Sequence, residues 1–101
     1  MIIYIDIDET ICYHSDSNTK TARDYNLAKP IVENINKANN LYDEGHTIVY
    51  WTARGAISGI DWTELTTKQL DQWGVKYHDL KLSKPYYDLF IDDKALNTED
   101  W

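Results

Sequence analysis

The chain alternates between short apolar runs and longer stretches of helical periodicity. Residues 2–5, Ile-Ile-Tyr-Ile, form a continuous β-branched and apolar run that stops at Asp6 and Asp8, as a strand buried on both faces does on reaching a sheet edge. Pro30 opens a second segment in which Ile31, Ile35, Ala38 and Leu41/Tyr42 recur at helical spacing until Gly45 closes it, predicting a helix. His46 to Trp51, HTIVYW, reads as a strand. Asp61 with Glu64 resembles a capping pair, and Trp62, Leu65, Leu70 and Trp73 give one apolar face before Gly74, so a second helix is expected over 61–74. Short strands are expected at 75–77 and, more clearly, at 87–91 (YDLFI), which again runs into acids, Asp92 and Asp93. The polar stretch 13–26 has no apolar period and is expected to be a surface loop.

This alternation predicts one α/β domain over residues 1–101: a Rossmann-like, three-layer α/β/α arrangement whose mainly parallel sheet is joined by right-handed crossovers and covered on both faces. Ligands of such sheets bind beyond the carboxyl ends of the strands. Asp6 and Asp8 follow the first strand, Thr52 and Arg54 the second, and Asp92 with Asp93 the last, while Lys84 precedes it. Singly, an acid after a strand is a turn former or a helix cap. Together, several carboxylates at one edge require a compensating cation, and hard oxygen ligands beside a phosphate suit Mg²⁺. A lysine and a threonine hydroxyl at the same edge can hold phosphate oxygens. Lys81 competes with Lys84 for that role, and position favours Lys84.

These residues resemble the four motifs of the haloacid dehalogenase-like superfamily of phosphatases. The D-x-D-x-T motif stands as Asp6-Ile7-Asp8-Glu9-Thr10, the second as Thr52 in WTARG, the third as Lys84 in SKPYYD and the acidic fourth as Asp92-Asp93 in FIDDKA. The matches keep the family's order and span nearly the whole chain. The resemblance implies that Asp6 attacks phosphorus to form an aspartyl-phosphate, and that Asp8 protonates the leaving group and then deprotonates water. It implies that Thr52 and Lys84 bind phosphate oxygens, and that Mg²⁺ is held by the Asp6 side chain, the Asp8 backbone carbonyl and Asp92, with Asp93 behind them. Arg54, Thr10 and Gly55 are candidate substrate contacts, and Arg23 is a weaker one. Many family members carry Gly where Glu9 stands here.

The family's cap domains have no room in this chain, because 11–27 is too short for a domain and 53–84 is accounted for by a helix and a strand. A capless site is open, which suits a large substrate or a homo-oligomer in which a neighbouring subunit covers the pocket. WTARG and KPYYDLFIDDKA look like stretches of small bacterial phosphatases of surface-polysaccharide or nucleotide-sugar metabolism, so the resemblance implies a small phosphorylated metabolite, a sugar phosphate. Two rivals are a 3′-phosphatase of nucleic-acid ends and a phosphoacceptor regulatory domain. In the latter, however, the phosphorylated Asp follows a later, central strand.

Composition narrows the partners. Seventeen acidic against ten basic side chains leave a net charge of −7, which disfavours nucleic acid as a high-affinity ligand. No apolar run approaches the roughly 18 residues of a membrane span. The one cysteine, Cys12, excludes an internal disulfide, and the early Asp6 and Asp8 interrupt any signal-peptide core. The sequence therefore predicts a cytoplasmic protein without a membrane partner. His46 and His78 are expected to be structural, and Trp51, Trp62 and Trp73 to be core. Tyr13 and His14, just beyond the first motif, are expected to be surface loop residues, with lining of the pocket as the alternative.

Overall fold

The computed structural model describes residues 1–15 and 24–101. Three parallel strands, β1 (Ile2–Ile5), β4 (Thr47–Trp51) and β5 (Asp79–Lys81), form a sheet in the order β1-β4-β5. Ile2 pairs with Thr47 and Ile5 with Tyr50, while Val49 pairs with Asp79 and Trp51 with Lys81. Two-residue strands β2 (Cys12–Tyr13) and β3 (Lys29–Pro30) pair antiparallel beside it. Helix α1 (Val32–Asp43) joins β3 to β4, and α2 (Thr63–Gln72) joins β4 to β5. Pro30 thus lies in β3 rather than in the first turn of α1. Gly45, at φ 98°, ends α1 in a left-handed turn in which His46 N–H donates to the Leu41 carbonyl. Asp61 opens α2, accepting at Oδ1 from the Thr63 N–H (3.0 Å) and the Thr63 hydroxyl (2.6 Å).

The core lies on one side of the sheet. Ile5, Ile48 and Tyr50 are buried in one cluster with Ile35 and Ala38 of α1 and Leu70 of α2, and Ile3, Tyr77 and Leu80 pack against it. The other face carries Tyr4 and Trp51, whose rings meet edge to face at 5.8 Å, a buried Val49 between its neighbours, and Ile2, which is 73% exposed. The expected three-layer, doubly covered sheet is therefore corrected to two layers with one open face. The reason is topological: right-handed crossovers that step in one direction, β1 to β4 to β5, place both helices on the same face. Cover on the second face needs a strand on the far side of β1, where the direction reverses.

That strand was expected at 87–91, and the structure does not form it. Residues 85–97 are without helix or strand and are exposed throughout; Leu89 is 75% and Ile91 88% exposed. The strand expected at 75–77 is displaced to Asp79–Lys81, because Val75 and Tyr77 are used to pack on the core in the link after α2. The loop expected over 13–26 holds Tyr13 in β2, a buried His14 and a 3-10 turn at Tyr25–Leu27; Arg23 and the rest of 16–23 lie outside the described residues. Among those described, no helix is long and apolar enough to cross a membrane.

Candidate functional site

β1 and β4 deliver Asp6, Asp8, Thr52 and Arg54 to their carboxyl ends, and the chain beyond β5 returns to that edge at Lys84, whose N–H donates to the Thr52 carbonyl at 3.2 Å. Asp6, Asp8, Thr52, Lys84 and Gly55 all border one cleft of about 450 Å³, walled by Tyr25, Trp62, Tyr86 and Tyr87. That volume lies within the usual range for small-molecule sites. Trp62 is thus a wall of the cleft, set edge-on to Tyr25 at 5.0 Å, rather than core.

The two aspartates after β1 meet opposite surroundings. Asp6 is partly open to the cleft: its Oδ1 accepts from the Ile7 N–H at 2.9 Å and its Oδ2 lies 3.5 Å from Lys84 Nζ. Burial is the largest influence on this carboxyl and raises its pKa above the usual value; the Lys84 charge and the Ile7 N–H oppose the rise, and the Asp8 charge adds to it. Lys84 is itself placed over the rings of Trp51 and Tyr87, at 5.7 and 5.3 Å. Lys81 points elsewhere, with its amine 3.0 Å from the Tyr4 hydroxyl.

Asp8 is enclosed. Arg54 donates from Nε to its Oδ2 (3.0 Å) and from Nη2 to its Oδ1 (2.9 Å), and His14 Nε2 stands 2.8 Å from Oδ1. The guanidinium, fully buried, also donates from Nη1 to the Thr66 hydroxyl (3.0 Å) and the Gln69 side-chain carbonyl (2.6 Å) of α2. Gln69 in turn donates to the Tyr25 carbonyl, and the Tyr25 ring lies 4.6 Å from the guanidinium carbon. Burial acts strongest on Asp8 too and tends to raise its pKa, but Arg54 and then His14 outweigh it and hold the group below the usual carboxylate value.

The candidate substrate contacts separate. Gly55 is in the cleft wall at φ 85°, where a Cβ would meet the Ile60 carbonyl oxygen, so only glycine lets the loop close there. Arg54 borders the cleft, but its donors are committed to Asp8, Thr66 and Gln69. Thr10 is outside the cleft wall; its N–H donates to the Ile7 carbonyl and its carbonyl accepts from Asn34 Nδ2 at 2.8 Å, so it braces the turn that carries Asp8. Glu9 occupies that turn at φ 64°, the left-handed region in which glycine is the least strained residue. Thr52 is buried with its hydroxyl accepting from the Arg54 N–H at 3.2 Å.

Reading along the chain missed Thr66 and Gln69, and gave His14 a place at the pocket only as the lesser of two readings. Thr66 and Gln69 lie three apart on the face of α2 that also buries Leu70, and two polar positions inside an apolar stripe signal a buried polar partner. His14 had no such signal, because only the β2–β3 pairing folds its segment inward.

Two cation sites were tested against this geometry. Ligand atoms of Asp8, Cys12 and His14 lie within 4.8 Å of one another. The Arg54 guanidinium, however, already donates to the same Asp8 oxygen and reaches Cys12 Sγ at 3.8 Å, so the positive charge of that pocket is supplied by protein. Burial, followed by the Asp8 charge, also pushes the Cys12 thiol far up, away from the thiolate a metal needs. At the Asp6 side, Mg²⁺ binding was expected to use Asp92 as well. Asp92 and Asp93 are exposed and do not border the cleft, so on one chain the expected Mg²⁺ set lacks one of its two carboxylates; of the expected ligands Asp6 and Asp8 stand there, and Glu9 also borders the cleft.

No protein-family model matches the chain, and no curated protein matches it. Among solved structures it is similar to a structural-genomics target from Vibrio cholerae, at 25% identity and a TM-score of 0.81, over 98% of this chain and 85% of that one. The molecule is a small α/β protein with an open, parallel three-stranded sheet and two helices, of a fold shared with that Vibrio protein.

Proposed function

We propose that the protein hydrolyses phosphomonoesters of small metabolites, sugar phosphates foremost, through a phosphorylated Asp6. The observation that carries this reading is the contrast at the cleft: Asp6 faces the open volume with Lys84 Nζ 3.5 Å from its Oδ2, while Asp8, two residues on, is locked behind it. A carboxylate oxygen of Asp6 attacks phosphorus, the bond to the leaving alkoxide breaks, and the resulting acyl phosphate is cleaved by water. One difficult displacement is thus divided into two easier ones. Lys84 and the Thr52 hydroxyl draw phosphoryl oxygens toward Asp6 and offset the charge that builds on them.

Asp8 handles the protons. Arg54 and His14 favour its ionised form, which suits removal of a proton from the water of the second step. In the first step the proton for the leaving alkoxide comes from the Asp8–His14 pair, joined at 2.8 Å; the other ring nitrogen of His14 is buried and has no hydrogen-bond partner among the described residues. The aromatic walls, Tyr25, Trp62, Tyr86 and Tyr87, offer flat apolar surfaces to the ring of a sugar.

The test is phosphate release from an aryl phosphate and from a panel of phosphorylated metabolites, with Mg²⁺ supplied. Turnover by the native protein that is lost in Asp6→Asn supports the reading. Full activity in that variant, or none in the native protein on any substrate, contradicts it.

A further inference from the structure

The structure leaves one strand edge and one strand-like segment without each other. β1 pairs with β4 alone among the described residues, so its far edge presents an open row of backbone donors and acceptors, beside an exposed Ile2. An edge this apolar is a template for strand addition. Residues 87–91, Tyr-Asp-Leu-Phe-Ile, have strand composition and end in the two acids that the cleft lacks.

The segment cannot join its own β1 in the useful direction. To set Asp92 beside Asp6 it must run parallel to β1, entering at the amino end. Lys84 is fixed at the opposite, carboxyl end by its bonds to Thr52 and Asp6. The return trip is about 13 Å along a four-residue strand and about 10 Å sideways across two strand spacings. The links from Lys84 to Tyr87 reach about 11 Å at most, and parallel connections ordinarily take a dozen residues or more. An antiparallel addition fits the chain but leaves Asp92 at the wrong end of the sheet.

We propose that two copies of the chain exchange residues 85–101, each laying 87–91 parallel to the partner's β1 and bringing its Asp92 to the partner's Asp6. The exchange is reciprocal, so it closes as a two-fold dimer. Pro85 at the departure point stiffens a hinge too short for closure within one chain, a condition that favours swapping. Trp101, whose carbonyl accepts from Lys37 Nζ at 2.6 Å on α1, has the same seat on the partner, so that contact is transferred rather than lost. β1 becomes a central strand, and each site acquires a second carboxylate beside Asp6, the complement that Mg²⁺ lacks on one chain. The direction and register of the exchange rest on the proposed phosphatase reading, whereas assembly through the open edge of β1 is read independently of activity.

The experiment therefore reads assembly first. Native protein in sedimentation equilibrium is expected at twice the 11.8 kDa chain mass, and a monomer overturns the proposal. Setting Asp92 level with Asp6 puts Phe90 opposite Tyr4, so Tyr4→Cys with Phe90→Cys, oxidised, is expected to run as a covalent dimer on a denaturing gel. A dimer in solution whose chains separate on that gel overturns the exchange. Asp6→Asn and Asp92→Asn chains, each inactive, are then unfolded and refolded together. Half of the random pairs are mixed and each mixed pair holds one intact site, so about a quarter of native activity is expected; no recovery, with a native mixture that is active, overturns the transfer of Asp92. A covalent dimer without phosphatase activity sinks the phosphatase reading and leaves the exchange standing, whereas an active monomer does the reverse.

Discussion

Asp6 and Asp8 leave the same strand two residues apart, yet the fold treats them as opposites. The Asp8 carboxylate is fully engaged: both oxygens go to the Arg54 fork, one also to His14, and the fork donates further from Nη1 to Thr66 and Gln69 of α2. Around Asp6 there is one backbone donor, one lysine at 3.5 Å and open cleft. The difference teaches a division of labour. A buried, fully satisfied ion pair ties β1 to α2 and holds one carboxylate in one charge state, while the carboxylate left under-satisfied, with its pKa raised by burial, is the one available to a ligand.

The contrast breaks most severely on the Asp8 side. Arg54→Met leaves Asp8, Thr66 and Gln69 buried without their shared donor, and removing one partner of a buried pair costs about 3–5 kcal/mol. Urea unfolding is expected to report that loss. On the Asp6 side the larger effect moves from stability to turnover: Lys84→Met is expected to lower kcat by about 10²–10³, with a smaller loss of unfolding free energy than Arg54→Met, because Lys84 pairs with Asp6 at 3.5 Å where Asp8 is held by a bidentate fork. A Lys84 variant that unfolds the protein, or an Arg54 variant as stable as native, erases the distinction.

Gly55→Ala sharpens the comparison from the loop between the two. A Cβ at φ 85° against the Ile60 carbonyl is expected to cost about 1–3 kcal/mol and to displace the cleft wall. The smallest effect is in pH. Because Asp8 titrates below its unfolded value, its contribution to stability is present above the ordinary carboxylate range and is lost as pH falls through its lowered folded pKa. Asp6 has the opposite sign: its raised pKa means that the ionised group weighs against folding at neutral pH. Measured by urea unfolding, the deficit of Asp8→Asn relative to native is therefore expected to shrink between pH 7 and pH 3, whereas Asp6→Asn is expected to be as stable as native, or slightly more so, at pH 7.

Strands 2–5 and 47–51 and both helices were legible because each is short, periodic and bounded by its own punctuation, such as Gly45 and Asp61. Residues 87–91 carry an equally clear strand pattern, yet they form none on one chain. Composition records what a segment pairs with, not whether its connection is long enough to reach it. The positions of Asp6, Asp8 and Thr52 at one edge were legible from strand ends, whereas Lys84 was legible only from the motif order of the resemblance. The Arg54–Thr66–Gln69 web was not, since it depends on how α2 packs over β4, and a buried arginine reads in sequence like an exposed one.

The central claim is that Asp6, and not Asp8, accepts the phosphoryl group. Acid quenching of the enzyme during turnover of a phosphomonoester, followed by peptide mass spectrometry with fragmentation, reads this directly. The account predicts a phosphate adduct on Asp6 within the peptide IDIDET, absent from Asp6→Asn. An adduct on Asp8, or steady turnover with no acyl phosphate on either residue, contradicts it.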